Sequence, residues 1–203
     1  MRMIFWNPPA QNKLLATGQL TSYDGGNLDD GGLKKGTPKV YTVLTTGQFA
    51  GNTNITINSK TDVHANACVL DNKTGLMWSR TCSASVGPTN NGLIPWTTTG
   101  AGATAEGIFP YCAAANAAAL AGYTDWRIPN APELISLMDF EAATAYPDAT
   151  AFPAWAAPGG NYVFSSTTCP SDTTKALCAR YTIGDCGVQV KTSNFYTLLV
   201  RGG

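Results

Sequence analysis

Short alternations of apolar and polar residues dominate both ends of the chain, and helical spacing is confined to its middle. KVYTVL, residues 39–44, alternates with β-branched and aromatic residues, and NITIN at 54–58 does so more briefly. Both predict strands, paired with each other across the intervening TTGQFAGNT turn. ACVLDNKTGLMWS, residues 67–79, predicts strand, tight turn from Asn72 to Gly75, then strand. In its second arm Leu76 and Trp78 fall on one face and Met77 on the other. From Asn161 onward NYVFSST, ALCARYTI, GVQVKT and FYTLLVR return to the strand pattern.

Between these regions Ala103 to Leu120 is dominated by alanine, with Ile108, Tyr111, Cys112, Ala115, Ala119 and Leu120 at helical spacing. Pro110 must sit in the first turn or before it, and Gly122 ends the helix. A second, shorter helix follows: Asn130 is its N-cap, Pro132 and Glu133 suit its first turn, and Leu134, Ile135, Leu137 and Met138 form its apolar stripe. Residues 1–36 are broken by NPPAQ, YDGGNLDDGG and KKG, which predicts an extended arm before a domain at 37–203. The fold class is therefore α+β, mainly antiparallel strands with two central helices. No internal repeat is visible.

Composition sharpens this picture. The 203 residues can bury a core without help from cross-links, because a chain of this size hides roughly 70% of its unfolded surface. Lys+Arg and Asp+Glu are both 13, so no polybasic surface exists for nucleic acid or anionic lipid. Charged residues are 13% of the chain, about half the usual share, while Gly is 21 and Pro 12. The polar surface is then mostly Thr, Ser, Asn and Gln, which suits turn-rich β structure. No apolar run approaches the roughly 20 residues of a membrane span. The start, MRMIFWNPPAQNK, lacks the apolar core of a Sec signal peptide.

Cysteine usage pulls the other way. Cys68, Cys82, Cys112, Cys169, Cys178 and Cys186 are an even set, three of them crowded between 169 and 186. That pattern points to disulfides formed in an oxidising place, with at least two bridges expected; buried free thiols are the alternative. A bridge within the 169–186 region and one joining Cys68 to Cys82 around the LDNKTG turn are the readiest pairs, though fifteen complete pairings are open. Zinc has little support, since there is no CxxC and His64 is the single histidine. No cofactor is expected. Disulfides without an export signal are reconciled if the protein leaves its cell by lysis, inside a virus particle.

Several segments together carry a family likeness. CVLDNKTGLMW from Cys68 to Trp78, Tyr111-Cys112 in an alanine-rich helix, DWRIPN from Asp125 to Asn130 running into Glu133 and Leu134, YVFSST from Tyr162 to Thr167, and the terminal LVRGG from Leu199 to Gly203 occur in that order. Together they resemble the C-terminal domain of the Legionella collagen-like adhesin. The TGQLTSY stretch from Thr17 to Tyr23 and the Asp29-Asp30-Gly31 stretch fit the lead-in that often precedes that domain. The resemblance implies a modified C-type-lectin-like fold, shared with formylglycine-generating enzymes and phage tropism determinants. It constrains function less, because one fold hosts adhesins, receptor-binding proteins, enzymes and scaffolds. Ile128 and Phe164 stand where many relatives carry Leu and Trp, and both remain apolar. The loops 81–101 and 141–160 match nothing in the family pattern.

Candidate chemistry follows from these blocks and gaps. Asp125, Trp126 and Arg127 read as architecture, an Asp–Arg pair and a buried Trp clamping the start of the second helix. Glu133 reads as a capping side chain. Asp24, Asp29 and Asp30 lie among glycines and could offer oxygens to calcium, but their spacing is not that of an EF-hand, and a solvated turn explains them better. Cys178 and Cys186 invite comparison with the reactive pair of formylglycine-generating enzymes, yet none of the surrounding motif is present. His64 reads as a solvent-facing or turn histidine in TDVHANA. Trp96 in GLIPWTTTG and Trp155 in AFPAWAAPGG lie in loop settings, where exposed aromatic faces stack on sugars or anchor interfaces; each could equally pin its loop. Ile4, Phe5 and Trp6 form an apolar run in the arm that makes sense against a partner.

The sequence thus predicts a non-enzymatic virion structural protein of a bacteriophage, a fibre, tail-tip or capsid-surface module for attachment. It would assemble with itself, as a homotrimer by family analogy, and dock on other virion proteins through residues 1–36. Trp96 and Trp155 would face a host-surface glycan or protein. The alternative is a bacterial surface or secreted adhesin that binds glycans. A formylglycine-type oxidase is the third reading.

Overall fold

The structure is a computed structural model, and it describes residues 15–24, 29–33, 36–83, 92–97, 105–141, 147–153 and 162–202. Four antiparallel sheets organise these residues. The largest contains β1 (Tyr41–Leu44), β4 (Cys68–Asp71), β5 (Met77–Ser79) and β11 (Val200–Arg201), in the order β1-β4-β5-β11. A second, in the order β7-β8-β9, is formed by Val163–Thr168, Lys175–Arg180 and Asp185–Val190. β2 (Asn52–Ile57) pairs with β3 (Lys60–Ala65), and β6 (Ile94–Pro95) with β10 (Asn194–Phe195). The helices are α1 (Asp30–Leu33), α2 (Ile108–Ala117) and α3 (Ala131–Ser136). This is the α+β class expected from the sequence, with the two main helices between the strand regions.

One pairing differs from expectation. β1 does not pair with β2; it pairs with β4, Tyr41 opposite Asp71 and Leu44 opposite Cys68. The reason is local: the 3-10 turn at Gly47–Phe49 redirects the chain, and β2 closes instead on β3 through Asn58 and Ser59, both at positive φ (46° and 59°). Two consecutive left-handed residues make the tight hairpin turn whose twist matches the strands. The β4–β5 hairpin forms as predicted, with Asp71 Oδ1 accepting the Lys73 amide at 2.8 Å inside the turn.

The inner strands of both larger sheets, β4 and β5 in one and β7 and β8 in the other, carry most of the burial and separate two hydrophobic cores. On one side Cys68, Met77, Phe164, Ala176 and Cys178 join Ile55, Tyr111, Trp126 and Leu199. On the other, Val69, Trp78, Val163, Ala179 and Val200 join Leu134, Leu137, Met138, Phe152 and Tyr181. The period-2 alternation of each strand assigns neighbours to opposite cores, so β5 reads Met77, Trp78, Ser79 with every residue buried. α2 covers the first core, and the Tyr111 hydroxyl donates to Asp62 on β3 at 2.7 Å. α3 covers the second, and the Tyr181 hydroxyl donates to the Leu134 carbonyl at 2.8 Å.

This wall explains a correction. The expected disulfides are absent, and all six cysteines are free thiols. Cys178 stands opposite Gly187 and Ala179 opposite Cys186, so Cys178 and Cys186 project from opposite faces of one sheet. Cys68 belongs to the first core, whereas Cys82 packs against the second. A short sequence separation therefore brought neither pair face to face.

His64 also departs from the sequence reading. It lies on β3 and is buried, with its ring nitrogens at 2.9 Å from the Ala65 carbonyl and 3.2 Å from the Thr81 carbonyl.

Candidate functional site

The family blocks DWRIPN and LVRGG meet in space and use up most of their charge on one another. Arg127 exchanges two backbone hydrogen bonds with Val200, at 2.8 and 3.0 Å, and its guanidinium donates to the Gly202 carbonyl at 3.0 Å. The same guanidinium grips Glu133 with both arms, at 2.8 and 2.6 Å. Asn130 and Glu133 form the reciprocal capping box of α3: the Glu133 amide donates to Asn130 Oδ1 at 2.9 Å, and the Asn130 amide to Glu133 Oε2 at 2.8 Å. The Asp–Arg pair expected within the block is not formed. Asp125 instead takes Arg201, whose guanidinium also lies 3.7 Å from the Tyr123 ring centroid. Trp126 is buried, and its Nε1 donates to the Leu120 carbonyl at 2.9 Å.

On this frame rests a groove. The lead-in segment crosses the C-terminal end of α3, where Thr17 accepts the Phe140 amide at 3.1 Å. Glu141 accepts the Leu20 and Thr21 amides at 2.5 and 3.0 Å. Gly18 permits the crossing: its φ is 96°, and a Cβ there would lie 2.3 Å from an Asp139 carboxylate oxygen. The crossing leaves a hollow of about 650 Å³ floored by Leu15, Leu76, Ile135, Met138 and Phe140, with Lys73, Thr74, Asn130 and Ser136 offering polar atoms. A smaller hollow of about 330 Å³ adjoins it, walled by Asp30, Asp139, Asp148 and Tyr41.

Lys39 lines both hollows. Its ammonium donates to the Met138 carbonyl and, at 3.4 Å, to that of Thr17. Burial lowers its pKa, against the opposing pull of Asp139 and Asp71. Among the described residues the Tyr41 hydroxyl has no hydrogen-bond partner, and burial, followed by the nearby Asp71, Asp148 and Asp139, raises its pKa. A volume of this size with an apolar floor and a few polar groups suits non-covalent binding of a small or chain-like ligand.

The other candidate residues fall elsewhere. Trp96 is half-buried. Its Nε1 donates to the Ser165 carbonyl at 2.7 Å, Lys191 sits 3.8 Å from its ring centroid, and Phe109 meets it edge-on at 4.8 Å. Trp155, Ile4, Phe5 and Trp6 lie outside the described residues. Asp29 caps the turn of α1, accepting the Tyr23 and Gly32 amides at 2.6 and 3.0 Å, while Asp30 accepts the Thr17 hydroxyl and Asp24 that of Ser22. Among the described residues no group of three or more His, Cys, Asp or Glu is placed to hold a metal ion.

Burial pushes the thiols of Cys68, Cys82 and Cys178 up to about 12 and that of Cys112 to about 11. Thiols so placed stay protonated near neutrality and make weak nucleophiles. Sequence reasoning missed the groove residues Lys39, Lys73 and Phe140. One signal was available in Ile135, which lies about 100° around α3 from Leu134 and so sits off the face shared with Leu137 and Met138.

Comparison with known proteins bears on the frame rather than the groove. No curated protein and no solved structure matches the chain. A family model, the Lcl C-terminal domain, matches residues 67–201. That span begins one residue before β4, ends at the Arg201 that pairs with Asp125, and contains DWRIPN, Glu133 and all of LVRGG but its two glycines. By this match the chain belongs to the Lcl C-terminal domain family.

Proposed function

We propose that this protein is a non-enzymatic, adhesin-like binding module that takes a segment of a surface glycan or peptide into the groove beside α3. The observation that carries the reading is the groove itself: about 650 Å³, with Ile135 and Phe140 each 36% exposed beside Lys73, Asn130 and Ser136. Exposed apolar side chains next to hydroxyl, amide and ammonium donors are what a sugar ring or a peptide edge needs. Family membership supports an adhesin-like role and a surface or extracellular setting. It favours the bacterial surface or secreted adhesin over the bacteriophage particle, for which the sequence alone supplied the motive. The thiols support binding over catalysis: Cys178 and Cys186 project from opposite faces of their sheet, so they cannot act together on one substrate atom.

Binding of the full chain to arrays of host-surface glycans and to intact cells tests this reading, with Phe140→Ala and Lys73→Ala as variants. Both should bind at least ten-fold more weakly with unchanged melting temperature, because both side chains lie at the surface. Unchanged binding by both variants would move the ligand site away from α3. Immunolabelling then separates the settings, since a bacterial adhesin labels cell envelopes and a virion protein labels particles.

A further inference from the structure

The hollow of about 330 Å³ that adjoins the groove is lined by three carboxylates, those of Asp30, Asp139 and Asp148, against one ammonium, that of Lys39. Among the described residues none of the three forms an ion pair with a lysine or arginine. Neutral groups hold them in place. Asp30 Oδ2 accepts the Thr17 hydroxyl, Asp139 Oδ1 the Glu141 amide at 3.1 Å, and Asp148 Oδ1 the Thr150 and Ala151 amides, both at 2.8 Å. The Lys39 ammonium is bonded to the Met138 and Thr17 carbonyls. Negative charge is therefore in excess in the hollow.

The Tyr41 hydroxyl responds to that excess. Tyr41 lines the same hollow, and among the described residues its hydroxyl is buried and unpartnered. Burial raises its pKa, and Asp71, Asp148 and Asp139 add to the rise. A buried hydroxyl without a partner is costly, and a cation donating to its oxygen would remove the cost. Leu20, Pro38 and Leu137 line the hollow as well, and they suit the alkyl stem of a long basic side chain.

Groove and hollow join through Ala16, Thr17 and Lys39, which line both. Charge is separated between them: Lys73 lines the groove alone, and the groove's own carboxylate, Glu133, is already gripped by Arg127. The groove floor is aliphatic apart from Phe140. Leu15, Leu76, Ile135 and Met138 offer rounded surfaces that match apolar side chains, whereas a sugar ring stacks best on a flat aromatic face.

We propose, resting on the reading of the groove as a ligand site, that the ligand is a peptide segment. It lays apolar side chains on the floor beside Ile135 and Phe140 and puts a lysine or arginine side chain into the hollow among Asp30, Asp139 and Asp148. An extended segment can fill both volumes, because residues two apart point to the same side. The cationic head then makes charge-assisted hydrogen bonds to carboxylates that no protein cation has paired.

Fluorescence anisotropy with the full chain and a labelled peptide tests the proposal. The probe is Ser-Leu-Ser-Phe-Ser-Lys-Ser with blocked ends, together with the same sequence in reverse order, since the direction of the chain is open. At least one should bind, and Glu in place of its Lys should abolish binding. Asp139→Asn with Asp148→Asn should weaken it about ten-fold. Asn keeps the oxygen that accepts the Glu141, Thr150 and Ala151 amides, so melting temperature should hold; if it falls, the Lys and Glu peptides decide the matter. Rising salt should weaken binding of the parent. A glucosamine trimer with free amines is the glycan arm. No binding by either Lys peptide, equal binding by the Glu peptide, a folded double variant that binds like the parent, or carboxylate-dependent binding of the trimer alone overturns the proposal. Failure of the groove reading is distinct: there Phe140→Ala and Lys73→Ala leave binding to intact cells unchanged.

Discussion

Arg201 closes a two-armed ion pair on Asp125, Nε to Oδ1 at 2.7 Å and Nη2 to Oδ2 at 3.0 Å, across 76 residues of chain. Directly beside it, Arg127 closes a second such pair on Glu133. Arg127 lies near the middle of the family span and Arg201 at its end, yet their backbones are linked through the Arg127–Val200 hydrogen bonds. The terminal strand is thereby stitched to the start of α3. Asp125→Ala should cost only about 0.5 kcal/mol, because its carboxylate is largely exposed and such pairs are screened. Glu133→Ala should cost more, about 2 kcal/mol, since it removes the capping box as well as the Arg127 partner. Chemical denaturation of the two single variants checks the order.

The same residues predict acid sensitivity. Burial would raise the Glu133 carboxyl, but Arg127 and the Asn130 amide outweigh it and hold it below its ordinary value of 4.5. A carboxyl lowered by folding adds stability that is complete above that value and is lost as pH falls through the native one. Melting temperature of the parent should therefore drop below pH 4.5, and Glu133→Gln should remove part of that dependence while lowering stability near neutrality. An unchanged slope would mean other carboxylates govern acid unfolding.

Thiol labelling should follow the two-core wall. Cys186 is the exposed cysteine and should react first in the folded protein. Cys169, whose thiol is held below the ordinary range chiefly by the Ser171 hydroxyl, should follow. Cys68, Cys82, Cys112 and Cys178 should react only on unfolding, being both protonated and packed. Mass spectrometry of timed alkylation reads this order directly, and a Cys178–Cys186 disulfide peptide would contradict the register of β8 on β9.

Trp96 ties the β6 region to both β7 and the turn after β9. Trp96→Ala should destabilise by about 3 kcal/mol, losing ring packing and leaving the Ser165 carbonyl without its indole donor. Trp96→Phe should recover most of the packing but not the hydrogen bond. Comparing the two melts separates these contributions, and a neutral Trp96→Ala would show the ring to be free for a ligand.

The β2–β3 turn offers a stabilising change. Ser59 sits at φ 59°, a conformation costing a non-glycine residue about 1 kcal/mol. Ser59→Gly creates Asn-Gly at this turn and should raise the melting temperature by a few degrees, offset slightly by the greater freedom of the unfolded chain. A lower melting temperature would show that Ser59 makes a compensating contact.

Local signals carried the reading where a short stretch contains its own instructions. The Asn130–Glu133 capping box, the Asp71–Gly75 turn and the alternation of β1, β7 and β8 each depend on residues only a few positions apart, and all were legible. The ordered blocks around Trp78, Trp126 and Arg201 likewise carried the family. Partner choice over long separations was decided only by the tertiary structure. β1 took β4 over β2 because Asn58 and Ser59 let β2 fold back on β3. Asp125 took Arg201 over Arg127 because Arg127 was already committed to Glu133. The expected cysteine pairs remained thiols because strand alternation turns Cys178 and Cys186 to opposite faces of one sheet and packing puts Cys68 and Cys82 against different cores, and the groove exists because Gly18 lets the lead-in cross α3 against Asp139. Sequence specifies each strand's two faces, but which side of the wall a face meets is settled only when the sheets pack.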